Sequence, residues 1–267
     1  MQAKTMAALV AGLAIGGPVG AQWLNYPTPG VPRLASGKPN ILAPAPRTAD
    51  RKPDLSGIWG LNSPCPADGC SDYTAAPEFL NMGASLKDGL PYQPWAAELV
   101  KKRTAELGRN DPVAWCKPAG AVRLWTYPPP RKIVQLPGLV VVLSERDVGF
   151  RQIFTDGRPL PKDPDPSWNG YSSGKWEGDT LVVQTIGFRD GIWLDRNGSP
   201  MTEAAKMTER FRRVNYGRLE IEVTIDDPKA YTKPWAVKLN EAIVLNTELL
   251  DYYCLDNEKD AGHMVTK

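Results

Sequence analysis

The chain has 267 residues, with 32 Lys and Arg against 30 Asp and Glu and a formal charge of +2. Near-balanced, interspersed charge excludes the basic surface that electrostatic nucleic-acid binding needs, so no nucleic-acid partner is expected. The single histidine, His263, lies four residues from the C-terminus, which excludes a serine–histidine–acid triad and most histidine-built metal centres.

Residues 1–21 read as a signal peptide. Lys4 supplies a minimal positive start, residues 6–15 are apolar, and Val19-Gly20-Ala21 offers small residues before a cut at Gln22. An uncleaved anchor is the alternative, although the apolar run is too short to span a bilayer as a helix. No later segment reaches membrane-spanning length, so the mature chain is expected to lack a transmembrane segment and to be periplasmic or secreted.

Residues 22–54 form a proline-rich arm (Pro27, Pro29, Pro32, Pro39, Pro44, Pro46, Pro53). Proline fixes φ and removes backbone donors, so this stretch is neither helix nor central strand. Residues 55–267 then read as one β-rich domain, with a first strand at 55–60. One helix is expected near residues 94–107, opened by Pro94 and stopped at Gly108. Ala96, Val100, Arg103 and Leu107 mark its sheet-facing side, widened by Trp95 and Leu99.

Beyond Pro112 the apolar period becomes two. Strands are expected at 132–136, 139–144, 150–155, 173–177, 180–186, 207–214, 218–225, 235–240 and 243–253. Leu219, Ile221, Val223 and Ile225 face one way while Glu220, Glu222 and Thr224 face the other, as an antiparallel wall with one wet side requires. Gly178 and Gly217 sit at hairpin turns and are read as supplying positive φ. The fold class is mainly β: an antiparallel up-and-down barrel, lipocalin-like in shape, or a sandwich.

Cys65, Cys70, Cys116 and Cys254 are even in number in an exported chain, which points to disulfides, although four cysteines allow three pairings. A local Cys65–Cys70 bridge around Pro-Ala-Asp-Gly with a long-range Cys116–Cys254 bridge is the favoured arrangement. Zinc would need better ligand spacing and histidine. The acids at Asp163 and Asp165 lack the pattern of a calcium loop. With no P-loop, GxGxxG or HExxH either, no metal and no cofactor is expected.

Acid–base chemistry, if present, falls to carboxylates. Glu209 shares a strand face with Met207 and Phe211. If that face is internal, Glu209 and Arg213 make a buried charged pair suited to a catalytic base and its orienting group; an edge salt bridge, or the opposite face pointing inward, is the plainer reading. Asp190 and Asp195 lie in a loop beside Trp193, where paired acids suit sugar chemistry but also make an ordinary turn. Nine Trp is high for this length, and Trp168, Tyr171, Trp176 and Trp193 crowd one segment. With Arg151 they are candidates for a ligand-stacking face, against the alternative that they fill a wide core.

The strings PDLSGIW, WNGYSSGKWEGDTLVV, TERFRRV and TIDDPKAYTKPW together resemble a widespread group of exported bacterial β-rich proteins of unknown function. The resemblance runs from about residue 50 to the end and implies an exported β-rich protein without assigning a catalytic residue. The sequence therefore points to a barrel that binds a small apolar, aromatic or sugar-like molecule in its interior. A cofactor-free lyase, isomerase or hydrolase is the alternative, and a cell-surface interaction protein docking through its arm is the third reading. Oligomeric state is not encoded in any of these patterns.

Overall fold

The computed structural model describes residues 27–61, 77–146 and 149–254. Eleven strands run in chain order: β1 (Gly57–Leu61), β2 (Arg131–Leu136), β3 (Leu139–Ser144), β4 (Phe150–Phe154), β5 (Tyr171–Glu177), β6 (Thr180–Ile186), β7 (Ile192–Trp193), β8 (Pro200–Met201), β9 (Lys206–Asn215), β10 (Arg218–Asp226) and β11 (Trp235–Ile243). Nine of them close a barrel in the order β1-β11-β10-β9-β6-β5-β4-β3-β2, while β7 and β8 form a separate two-stranded sheet. The neighbour-to-neighbour order is the expected meander. Every pairing in the barrel is antiparallel except β4 with β5, which is parallel.

Period-two patterning places the core. In β10, Leu219, Ile221, Val223 and Ile225 are buried and pack with Val237 and Leu239 of β11 and Leu181 and Val183 of β6. The β9–β10 register sets Glu209 opposite Val223 and Phe211 opposite Ile221, so Glu209 faces the interior. At about 25 cal/mol per Å² of apolar surface removed from water, this continuous apolar lining is the main favourable term for folding.

The two ends of the barrel are covered differently. At the end carrying the β5–β6 and β9–β10 turns lies the proline-rich arm. Its carbonyls at Ile41 and Ala43 accept from Gly217 and Tyr216, and Arg47 pairs in a fork with Asp179. Gly178 has φ +60, as its hairpin requires, but Gly217 does not have positive φ. Glycine is needed at 217 for another reason: an added Cβ would come within 2.7 Å of Ile41 Cβ. At the opposite end, a 3-10 turn (Arg123–Thr126) inserts Trp125 over the barrel core, where its ring meets Phe211 edge-on at 5.6 Å.

Two helices are described, α1 (Pro77–Leu80) and α2 (Pro94–Ala105). The second begins at Pro94 as expected, but its sheet-facing stripe is narrower than the sequence implied. Only Ala96 is buried, and Leu107 projects into solvent. Polar anchors hold the helix instead: the Trp95 indole donates to the Lys229 carbonyl, and Arg103 donates to the Gly198 carbonyl and covers the Trp193 ring at 4.3 Å. The expected strand at 243–253 is also absent. Once β1 has closed the barrel between β2 and β11, no sheet edge remains for it. Residues 244–254 run as a tail instead, and among the described residues no helix is long and apolar enough to cross a membrane.

Candidate functional site

The barrel interior is filled, and charge lies inside it. Glu209 is fully buried, and Arg151 of β4 meets it with both terminal nitrogens. Arg151 also donates to Ser172 of β5 (3.2 and 3.0 Å) and to Thr185 of β6 (2.9 Å), and those two hydroxyls lie 3.0 Å apart. From above, the Trp125 indole donates to Glu209 Oε1 at 3.3 Å. Alternation in β4, β5, β6 and β9 aims these four polar side chains at one point, where fork geometry and full hydrogen bonding compensate the loss of hydration.

Arg213, expected as the partner of Glu209, has other contacts. Its guanidinium donates to the carbonyls of Asp54, Ser56 and Tyr216 and lies 4.9 Å from the Trp59 ring centroid. Burial pulls its pKa down to about 10, against the opposing pull of Asp54. It fastens the arm to the barrel end. The pairing of Glu209 with Arg213 is thus replaced by Glu209 with Arg151: residues 209 and 213 lie two inward positions apart on one strand, whereas Arg151 reaches Glu209 across the lumen.

A second internal pair, Arg131 and Glu241, is absent from the sequence reading. Both side chains are fully buried, with Arg131 Nη2 3.2 Å from Glu241 Oε2. Arg131 is held by the carbonyls of Leu124 (3.0 Å) and Tyr127 (3.2 and 3.1 Å), yet neither oxygen of Glu241 receives a hydrogen bond. Burial pushes the Glu241 carboxyl up to about 8, with Arg131 pulling the other way, and burial lowers the Arg131 pKa. A signal for Glu241 was available. Continuing the inward series Trp235, Val237, Leu239 by two residues reaches it, but the expected strand stopped at Asn240.

The aromatic and acidic candidates do not gather into one site. Tyr171 stacks on Phe154 at 5.3 Å, Arg189 covers Trp168 at 4.7 Å, and Trp176 packs partly buried against the core. Trp193 is buried in the small β7–β8 sheet, away from the lumen. Asp195 is a turn anchor, accepting from the Met82 and Ser199 backbone and the Ser199 hydroxyl. Asp190 accepts from the Glu203 amide, and its carboxyl is raised chiefly by the neighbouring Glu203 side chain. Arg151 is committed to the buried network. Cys116 and Cys254 form a disulfide, while Cys65 and Cys70 lie outside the described residues, as does His263.

An open concavity lies on the barrel rim, at the end carrying Trp125. One wall is Pro118, Ala119 and Gly120 with Leu124 and Tyr127. The facing wall is Ser144, Arg146, Gly149 and Phe150, joined by Asn169, with Val142 among the buried lining residues. Tyr127 and Ser144 add hydroxyl groups to this lining, and burial raises the Tyr127 pKa. Arg146 lies between two rings, 4.9 Å from Tyr127 and 5.7 Å from Tyr252. Sequence reading missed this cleft because its residues come from four separated segments with no shared motif. Among the described residues no cluster of His, Cys, Asp or Glu is arranged to hold a metal. Comparison with known protein families, curated proteins and solved structures finds no match to this chain.

Proposed function

We propose that the chain is an exported small-ligand-binding β-barrel protein whose barrel is a filled scaffold and whose ligand occupies the rim cleft. The ligand is a small molecule with an apolar or aromatic body and a hydrogen-bonding group. The carrying observation is the pairing of apolar walls, Pro118, Leu124 and the exposed Phe150, with the Tyr127 and Ser144 hydroxyls in one concavity. A mostly apolar concavity with a few convergent polar groups is the usual form of a small-ligand site. Export is supported by the signal-like N-terminus, the Cys116–Cys254 disulfide and the resemblance to exported β-rich proteins. The competing readings gain less: Glu209 and Arg213 have separate partners, and the described part of the arm bonds to its own barrel.

The test is a two-dimensional amide NMR titration with benzoate, phenol, indole-3-acetate, decanoate and glucose. Saturable shifts confined to residues 118–127 and 142–150 are expected for at least one aromatic compound. In Phe150→Ala, affinity is expected to fall by roughly tenfold, as loss of an aromatic contact implies. Absence of shifts for every compound, or shifts located elsewhere, overturns the reading.

A further inference from the structure

The tail after β11 crosses the barrel to reach the cleft. Glu248 pairs with Lys132 at 2.7 Å, the Leu250 amide donates to Glu145 Oε2 at 3.0 Å, and Tyr252 forms a parallel bridge with Arg146 while its ring lies near that guanidinium. The tail is thus laid along the rim segment that supplies Ser144, Arg146 and Phe150. Two residues beyond Tyr252, Cys254 bonds to Cys116, which stands two residues before Pro118 on the facing wall. Both cysteines are half-buried, within reach of a small reductant.

We infer that the Cys116–Cys254 disulfide is a latch that ties the two walls of the rim cleft through the tail and sets ligand access. The placement carries this inference. Apart from the disulfide, the described tail residues 248–254 make two exposed polar contacts, one bridge and one ring contact with the rim segment. Exposed contacts of this kind hold a segment weakly, whereas the covalent link fixes its far end. A dithiol reductant opens it. One thiolate attacks a disulfide sulfur to give a mixed disulfide, and the second thiol displaces the remaining protein sulfur. Two electrons and two protons pass to the protein, leaving Cys116 and Cys254 as thiols and the reductant as a cyclic disulfide. The inference about access rests on the rim cleft being the ligand site; the inference about the walls does not.

Hydrogen exchange read by mass spectrometry separates the two. The full chain is compared oxidised, treated with dithiothreitol, and as the Cys116→Ser, Cys254→Ser double variant, which leaves other cysteines untouched. Exchange in 117–127, 144–150 and 248–254 is expected to accelerate by roughly tenfold or more in the reduced and variant forms, with 181–186 and 219–225 unchanged. Unchanged walls overturn the latch, and so does uniform acceleration of all strands, which marks a global cross-link instead. For any titration compound that binds the oxidised form, affinity is expected to change in the double variant. Equal affinity with loosened walls overturns control of access. If no compound binds, the ligand-site reading fails while exchange still decides the latch.

Discussion

Glu241→Gln is the most informative single substitution, because the carboxyl it replaces is enclosed with one cation and no hydrogen-bond donor in place. Its pKa is raised from an ordinary 4.5 to about 8 by burial. The sign follows from proton counting. Between these two values the folded state holds a proton that the unfolded state has released, so stability is highest at low pH and falls as pH rises through the window. Each pH unit is worth about 1.4 kcal/mol, giving a loss of about 4–5 kcal/mol between pH 4.5 and 8 from this group. Glutamine copies the protonated shape and does not titrate. The assay is urea unfolding followed by tryptophan fluorescence from pH 5 to 9, comparing the two proteins at each pH so that all other carboxyls cancel. Near pH 5 the two proteins are expected to lie within about 1 kcal/mol. The wild type is then expected to lose about 1.4 kcal/mol per unit relative to the variant, levelling above pH 8. A difference independent of pH, with the variant less stable throughout by about 3–5 kcal/mol, would mean an ionised, well-paired carboxylate and refute the reasoning.

Glu209→Gln leaves the Arg151 cation buried without its counter-charge and is expected to lower stability by about 3–5 kcal/mol in urea unfolding. Joint replacement of Glu209 by Leu and Arg151 by Met removes both charges and is expected to recover most of that loss; no recovery would place the cost in the Ser172 and Thr185 hydroxyls. Gly170→Ala combines φ +63 with a Cβ only 2.7 Å from the Ile186 carbonyl oxygen. It is expected to cost more, by over about 1 kcal/mol in thermal unfolding, than Gly178→Ala, where φ is +60 but nothing lies within 4 Å.

What could be read from residues alone was whatever repeats over a few positions. The inward series of β10 followed from alternation, as did the shared face of Met207, Glu209 and Phe211; that this face is the inner one did not. The partner of Glu209 did not, because Arg151 stands 58 residues earlier and reaches it across the lumen, a relation with no local signature. Trp168, Tyr171, Trp176 and Trp193 are crowded in sequence yet scattered in space, since the chain leaves the barrel after β6 to build β7 and β8. The apolar and aromatic residues of 243–253 satisfy strand propensity, but a closed barrel leaves them nothing to pair with. Gly217 was correctly marked as special for the wrong reason: the close approach of Ile41 belongs to tertiary packing, not to turn type.

The parallel contact between β4 and β5 is a matter of parity. Strands that alternate up and down around a ring return to their starting direction only if their number is even. With nine, at least one adjacent pair must point the same way, and here a single pair does. That seam is also the shortest ladder in the barrel, with only Ile153 opposite Ser172 and Phe154 opposite Ser173. The buried guanidinium of Arg151 projects from one side of the seam and bonds Ser172 on the other, then reaches on to Thr185 and Glu209 on the next two strands. An odd-numbered cylinder has one stave that cannot be joined like the rest, and this chain rivets it from the inside.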